Sequence, residues 1–125
     1  MPMRWTISHD ERLVMVTADG PVTLLEIEAY FDALIVAGAQ PYGKLLDATT
    51  MEARLSDADV MAIGARMSAY VKDQKWEGGP AAFVVTTRVN REFINRFINL
   101  TASPRQAKIF QTVDAARRWL DGQMR

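Results

Sequence analysis

"GKLLDATTMEARLSDADVMAIGARM", residues 43–67, decides the fold class. Lys44 to Ala48, centred on Leu45-Leu46, read as a short buried strand that ends at Asp47. Ser56-Asp57-Ala58-Asp59 reads as a helix cap of the S-x-x-D kind. Val60, Ile63, Met67, Tyr70 and Val71 then fall on one helical stripe. A strand that enters a helix through a short polar stretch is the repeating unit of an α/β sheet. In open sheets of that kind, strand ends and helix N-termini are where ligands and partners bind.

The same unit recurs downstream. The loop "KWEGGP" (75–80) leads into "AAFVV" (81–85), an apolar run short enough for a buried parallel strand. Asn90 is expected to cap a third helix with the stripe Phe93, Ile94, Phe97, Ile98 and Thr101, stopped by Ser103-Pro104. "AKIFQ" (107–111) is a last strand. Thr112 caps a last helix whose Ala115, Ala116, Trp119 and Leu120 face inward.

Upstream, Arg4–Ser8 and Arg12–Ala18 are β-type stretches joined by the polar turn His9-Asp10-Glu11, which is a hairpin signal. Both faces of the second stretch are largely apolar, so it is expected to be buried on both sides. Gly20-Pro21 should break it. Thr23-Leu-Leu-Glu26 is a capping box for a helix with the stripe Leu24, Ile27, Tyr30, Phe31, Leu34 and Ile35, ended by Gly38 and Pro41. The order is ββαβαβαβα. It predicts an α/β fold with a largely parallel sheet of about five strands, an N-terminal hairpin and four flanking helices.

The 125 residues suit one domain, residues 1–125. With 49% hydrophobic and 24% charged residues the chain is globular rather than disordered. The lack of cysteine excludes disulfides, thiol catalysis and zinc–thiolate sites, and fits a cytoplasmic location. "MPMRWTISHDER" has no apolar core of signal-peptide length, and no apolar run nears the roughly 18 residues of a membrane span, so stable membrane insertion is not expected. No basic run is interleaved with aromatics, which argues against nucleic acid as a partner. Residues 1–62 carry 4 Lys/Arg and 10 Asp/Glu, and residues 63–125 carry 11 and 5. Such a dipole can guide association with a partner or a second copy, although charges on separate solvated faces give the same count.

"LVMVTADGPVTLLEIEAYF", "KLLDATT", "AAFVVTT" and above all "AKIFQTVDAARRWL" together resemble the STAS domains, in particular the SpoIIAA-like group of anti-sigma factor antagonist relatives, often grouped as STAS/SEC14-like. The likeness spans nearly the whole chain. It implies a non-catalytic regulatory or binding domain, often a homodimer. Antagonists of this family carry an Asp-Ser-Ser-Gly type segment at the start of the second helix, where a partner kinase phosphorylates a serine. Here that place reads "LSDADVM", with Asp57 or Ala58 at the acceptor position depending on register and no glycine. A phosphoserine switch therefore does not carry over. An aspartate there would supply only part of a phosphate's charge.

Three groups of residues are candidates for binding. Asp47, Thr49 and Thr50 follow the central strand, and Ser56 and Asp57 open the second helix. Thr86, Thr87, Arg88 and Arg91 bring hydroxyls and guanidiniums to a strand end and a helix N-terminus, a place that favours anions. The simpler reading is that Asp47 shapes a turn, that Ser56, Asp59 and Asn90 cap helices, and that the arginines are solvated. Asp47, Asp57 and Asp59 do not have the spacing of a cation cage, so no metal is expected. His9, the only histidine, reads as a turn residue. No nucleophile–base pair is present, so neither an enzyme nor a cofactor is expected. The expected partner is a protein or a small anionic ligand. The alternative is a SEC14-like carrier of a small apolar or lipid-like ligand, with Phe93, Phe97, Met61 and Met67 around a pocket, although at helical spacing these read first as core.

Overall fold

A computed structural model of the chain describes residues 2–72, 79–100 and 107–124. The elements run β1 (Met3–Ser8), β2 (Leu13–Val22), α1 (Leu24–Ala37), β3 (Gly43–Ala53), α2 (Asp57–Lys72), β4 (Ala81–Val84), α3 (Arg88–Leu100), β5 (Ala107–Phe110) and α4 (Val113–Gln123). The expected order ββαβαβαβα is the observed one. The strands lie side by side in sequence order. β1 and β2 form an antiparallel hairpin, and β2, β3, β4 and β5 are mutually parallel. Thr101, Ser103-Pro104 and most of the 75–80 loop lie outside the described residues.

Three right-handed crossovers that all step the same way leave α1, α2 and α3 on one face of the sheet. Val14, Val16 and Ala18 of β2 pack there against Tyr30, Phe31, Leu34, Ile63 and Met67. Phe83 and Val85 pack there against Ile94, with Phe93 and Phe97 alongside. α4 covers the other face alone, with Ala116 and Leu120 on Leu13, Leu45, Ala82 and Val84. It reaches β3, β4 and β5, and it meets the hairpin at Leu13 and, through Arg117, at Glu11 of the turn. That corrects the expectation of a β2 buried on both sides: Leu13 is covered, but Met15 is 37% exposed.

Because the strand order never reverses, no two consecutive crossover helices part to opposite faces. The crevice that such a reversal creates is absent. A site at the strand ends must be built in another way, and β3 builds it.

β3 is longer than its sequence suggests. It runs through Ala53, so "DATTMEA" is strand rather than loop. Lys44 to Asp47 pair with both β2 and β4, whereas Thr50 to Ala53 pair with β2 alone, opposite Asp19 to Val22. β2 correspondingly continues through Gly20-Pro21, which was expected to end it. Val22 offers its carbonyl to Arg54 N–H on the β3 side, so Pro21, one residue earlier, points the other way. Among the described residues no strand lies there, since β1 begins at Met3 opposite Ala18, and the missing N–H of Pro21 costs no ladder bond. Gly20 accepts the left-handed backbone (φ 83°) at this point.

Candidate functional site

Where β3 changes from two neighbours to one, two of its residues, Ala48 and Thr49, stand against Ala18 alone, a β-bulge. A bulge leaves backbone groups outside the ladder, and buried ones must find partners. Asp47 supplies one: its Oδ1 accepts from Thr49 N–H at 3.0 Å and from the Thr49 hydroxyl at 2.8 Å. Asn90 supplies the other. Its Nδ2 donates to the Ala48 carbonyl at 3.2 Å and to the Met51 carbonyl at 3.0 Å. Asn90 is 5% exposed, and this bond pair fastens the first turn of α3 to the bulge.

Asn90 is therefore not the helix cap expected from the sequence. Thr87 is: its hydroxyl accepts from Asn90 N–H at 3.2 Å and its carbonyl from Arg91 N–H at 3.0 Å. The cap at α2 is as expected. Ser56 Oγ accepts from Asp59 N–H and Asp59 Oδ2 from Ser56 N–H, each at 3.1 Å, a reciprocal box. The box expected at Thr23 does not close on its helix. The Thr23 hydroxyl donates to Glu26 Oε1 at 3.4 Å, and Glu26 Oε2 accepts from Met3 N–H at 3.1 Å, tying α1 to β1.

The candidate residues thus fall into two groups. Asp47, Thr49 and Thr50 on β3 lie beside Thr86, Thr87, Arg88 and Arg91, held together through Asn90. Ser56 and Asp57 lie further along, past the end of β3, and Asp57 reaches α3, where Arg96 Nη1 bonds its Oδ1 at 2.9 Å. Arg88 Nε bonds Glu92 Oε1 at 3.0 Å, so its charge is already matched. Arg91 is exposed. Asp47 and Thr49 spend their polar groups on the bulge, while Thr50, Thr86 and Asp57 stay in solvent.

An open groove of about 410 Å³ lies between the end of β3 and α3. One wall is the end of β3 and the link beyond it, Ala53 and Leu55. The other is one face of α3, Val89, Glu92, Phe93 and Arg96, at i, i+3, i+4 and i+7. Val89 is 74% exposed. The sequence reading missed Leu55, Val89 and Arg96. An apolar residue in the first turn of a helix whose arginines face water was the available signal.

A second space lies inside. It is a cavity of about 70 Å³ between the sheet and helices α1 and α3. Phe93 and Phe97 line it as expected for an internal pocket, but Met61 is exposed and Met67 belongs to the core beside it. Among the described residues no three His, Cys, Asp or Glu side chains gather as metal ligands would, and no helix is long and apolar enough to cross a membrane.

Two solved structures share this architecture. An uncharacterized protein of the DUF3478 family from Shewanella loihica PV-4, described as having a SpoIIAA-like fold, superposes with a TM-score of 0.60 at 23% identity, over 94% of this chain and 91% of its own. An anti-sigma factor antagonist from Mycobacterium paratuberculosis superposes with a TM-score of 0.56 at 13% identity, over 95% and 94%. At these identities the likeness is one of fold, and the fold is SpoIIAA-like, as the sequence resemblance implied. No family model and no curated protein matches the chain.

Proposed function

We propose that residues 1–125 act as one non-catalytic regulatory domain in the cytoplasm, and that it works by binding a protein at the end where α2 and α3 begin. The single observation that carries this reading is the groove between the β3 extension and α3. Its floor is apolar, from Ala53, Leu55, Val89 and Phe93. Its polar lining is Glu92 and Arg96, and Ser56, Asp57, Thr86, Thr87, Arg88 and Arg91, fixed by caps or left in solvent, flank the lining residues Leu55 and Val89 along the chain. Exposed apolar surface framed by polar residues is the mark of a protein-recognition site.

A small anion is less well served. Arg88 and Arg96 already face Glu92 and Asp57, so an incoming anion would have to displace a carboxylate. The solved neighbour from Mycobacterium paratuberculosis is by its name an antagonist of an anti-sigma factor. That supports a protein as the partner of this chain too. Asp57 gives a fixed charge at the start of α2, the helix start at which the family's antagonists carry a switchable one, with Asp57 or Ala58 at the acceptor position depending on register. Self-association into a homodimer belongs to the same proposal, and analytical ultracentrifugation of the purified chain tests it.

The test of the binding surface compares two exposed valines. Val89 is in the groove. Val36, 89% exposed, is near the end of α1 and lines no part of it. Protein captured from the host by the wild-type chain should be lost with Val89→Glu and kept with Val36→Glu. Capture that survives Val89→Glu places the partner elsewhere.

A further inference from the structure

We propose that the partner enters the groove as an added β-strand, pairing its backbone with Ala53 on the open flank of β3. This rests on the reading of the groove as a protein-binding site and says how the partner is held there. Arg54 N–H donates to the Val22 carbonyl, so the backbone groups of Arg54 turn toward β2. Those groups alternate in direction along a strand, so the ones on Ala53 and Met51 turn away from β2. Met51 shows this directly, because its carbonyl accepts from Asn90 Nδ2 at 3.0 Å on the α3 side. The side-chain amide of Asn90 stands where a peptide group of a neighbouring strand would stand. β4 does not reach so far, since its last pair with β3 is Val84 with Asp47. Two residues on, at Ala53, no amide takes that place. Among the described residues the Ala53 N–H and carbonyl bond no other group, and Ala53 lines the groove.

These unpaired groups decide the occupant. Whatever covers Ala53 takes water from one donor and one acceptor, and a polar group buried without a partner is costly. A helix bonds its own backbone internally and has nothing to give Ala53. An extended segment presents an N–H and a carbonyl at the interstrand spacing of about 4.8 Å. A free strand edge is a ready template for such a segment, with main-chain bonds giving affinity and side-chain pockets giving selectivity.

The groove fits a short strand. The face of α3 that lines it runs from Val89 to Arg96, about 10 Å at 1.5 Å per residue. That is roughly three residues of extended chain at about 3.3 Å each. Met51 packs its side chain on the α3 side of the sheet, and Ala53, two residues on, shares that side. The partner residue opposite Ala53 therefore points to the same side, toward Val89 and Phe93, and its two neighbours point to the other face. The recognised unit is one apolar side chain in a short extended segment.

A proline separates backbone pairing from mere apolar contact, because it has no N–H. Ala53→Pro removes the donor offered to the partner and no bond of the β2 ladder. Pro21 already stands this way in β2, opposite Glu52. The probes are heptapeptides selected on the full chain from a random display library and kept only if Val89→Glu abolishes their binding. Their Kd, read by fluorescence anisotropy, should rise at least about tenfold with Ala53→Pro while Tm is unchanged. N-methylation along each peptide should reveal one amide, the one facing the Ala53 carbonyl, where affinity falls by about as much, with both neighbouring amides tolerating the methyl. That scan uses the unaltered protein, so it decides the question if Ala53→Pro lowers Tm. Peptides that Val89→Glu excludes but Ala53→Pro binds as the wild type does would overturn the added strand and leave the groove as a protein site. Peptides that bind as helices, or that accept a methyl at every amide, would overturn it too. So would a library yielding no peptide dependent on Val89; host protein still lost with Val89→Glu would then assign the groove to a folded surface.

Discussion

β3 is one strand with two characters. Its first half, Lys44 to Asp47, lies between β2 and β4 and is covered by helices on both faces. Leu45 is 1% exposed, and even the lysine is buried. Its second half, Thr50 to Ala53, has β2 on one side and no strand on the other, and its residues alternate between exposed and half-buried. The backbone is extended throughout, so the difference comes from the neighbours. It teaches that hydrophobic runs in a sequence report burial and only indirectly report strand. It also explains the groove. A strand that outruns β4 by several residues leaves its flank open, and α3 lies across from that flank without closing it.

Core truncation in the first half should cost the most. Leu45→Ala is expected to lower stability by about 2–5 kcal/mol, the usual range for a fully buried leucine, measured by urea unfolding. A loss below about 1 kcal/mol would mean that α4 does not pack on β3 as described. The joint between the halves comes next. Asn90→Ala removes the donor to the Ala48 and Met51 carbonyls and is expected to cost about 1–3 kcal/mol. Because the same side chain holds α3 to β3, this variant should also loosen the groove and weaken partner capture. The second half should matter least. Arg54 and Glu52 form an ion pair with both side chains more than half exposed, and Arg54→Ala is expected to change stability by about 0.5 kcal/mol or less. A large loss there would show that the extension is structurally as demanding as the centre of the strand.

The same contrast marks what could be read from the sequence. Every element of the fold was legible, because each buries a stripe or run with the period of its type: Ile27, Tyr30, Phe31 and Leu34 in α1, or Ala81 to Val84 in β4. The extensions of β2 and β3 were not. Gly20-Pro21 normally ends a strand, and it does not here only because the side Pro21 faces has no neighbour, which is a fact of topology rather than of local sequence. Polar residues at 47–52 look like a loop for the same reason. Caps were legible where the cap bonds its own helix, as at Ser56 and Thr112. They were misread at the Thr23–Glu26 box and at Asn90, where the Glu26 and Asn90 side chains instead bond strands distant in sequence. The candidate site was legible as a region, since it combines strand ends with helix starts. Its groove was not, because Leu55, Val89 and Phe93 meet only when β3 runs on to Ala53.

The extension of β3 is thus the claim on which the groove depends, and amide hydrogen exchange of the free protein tests it most directly. Arg54 N–H donates to the Val22 carbonyl at 3.2 Å at the end of the extension. The account predicts that amides of residues 50–54 bonded to β2 exchange slowly, less protected than those of Leu45 and Leu46 but well above the exposed turn at Asp10 and Glu11. Exchange over 50–54 as fast as in that turn would return the segment to a loop, and the groove with it.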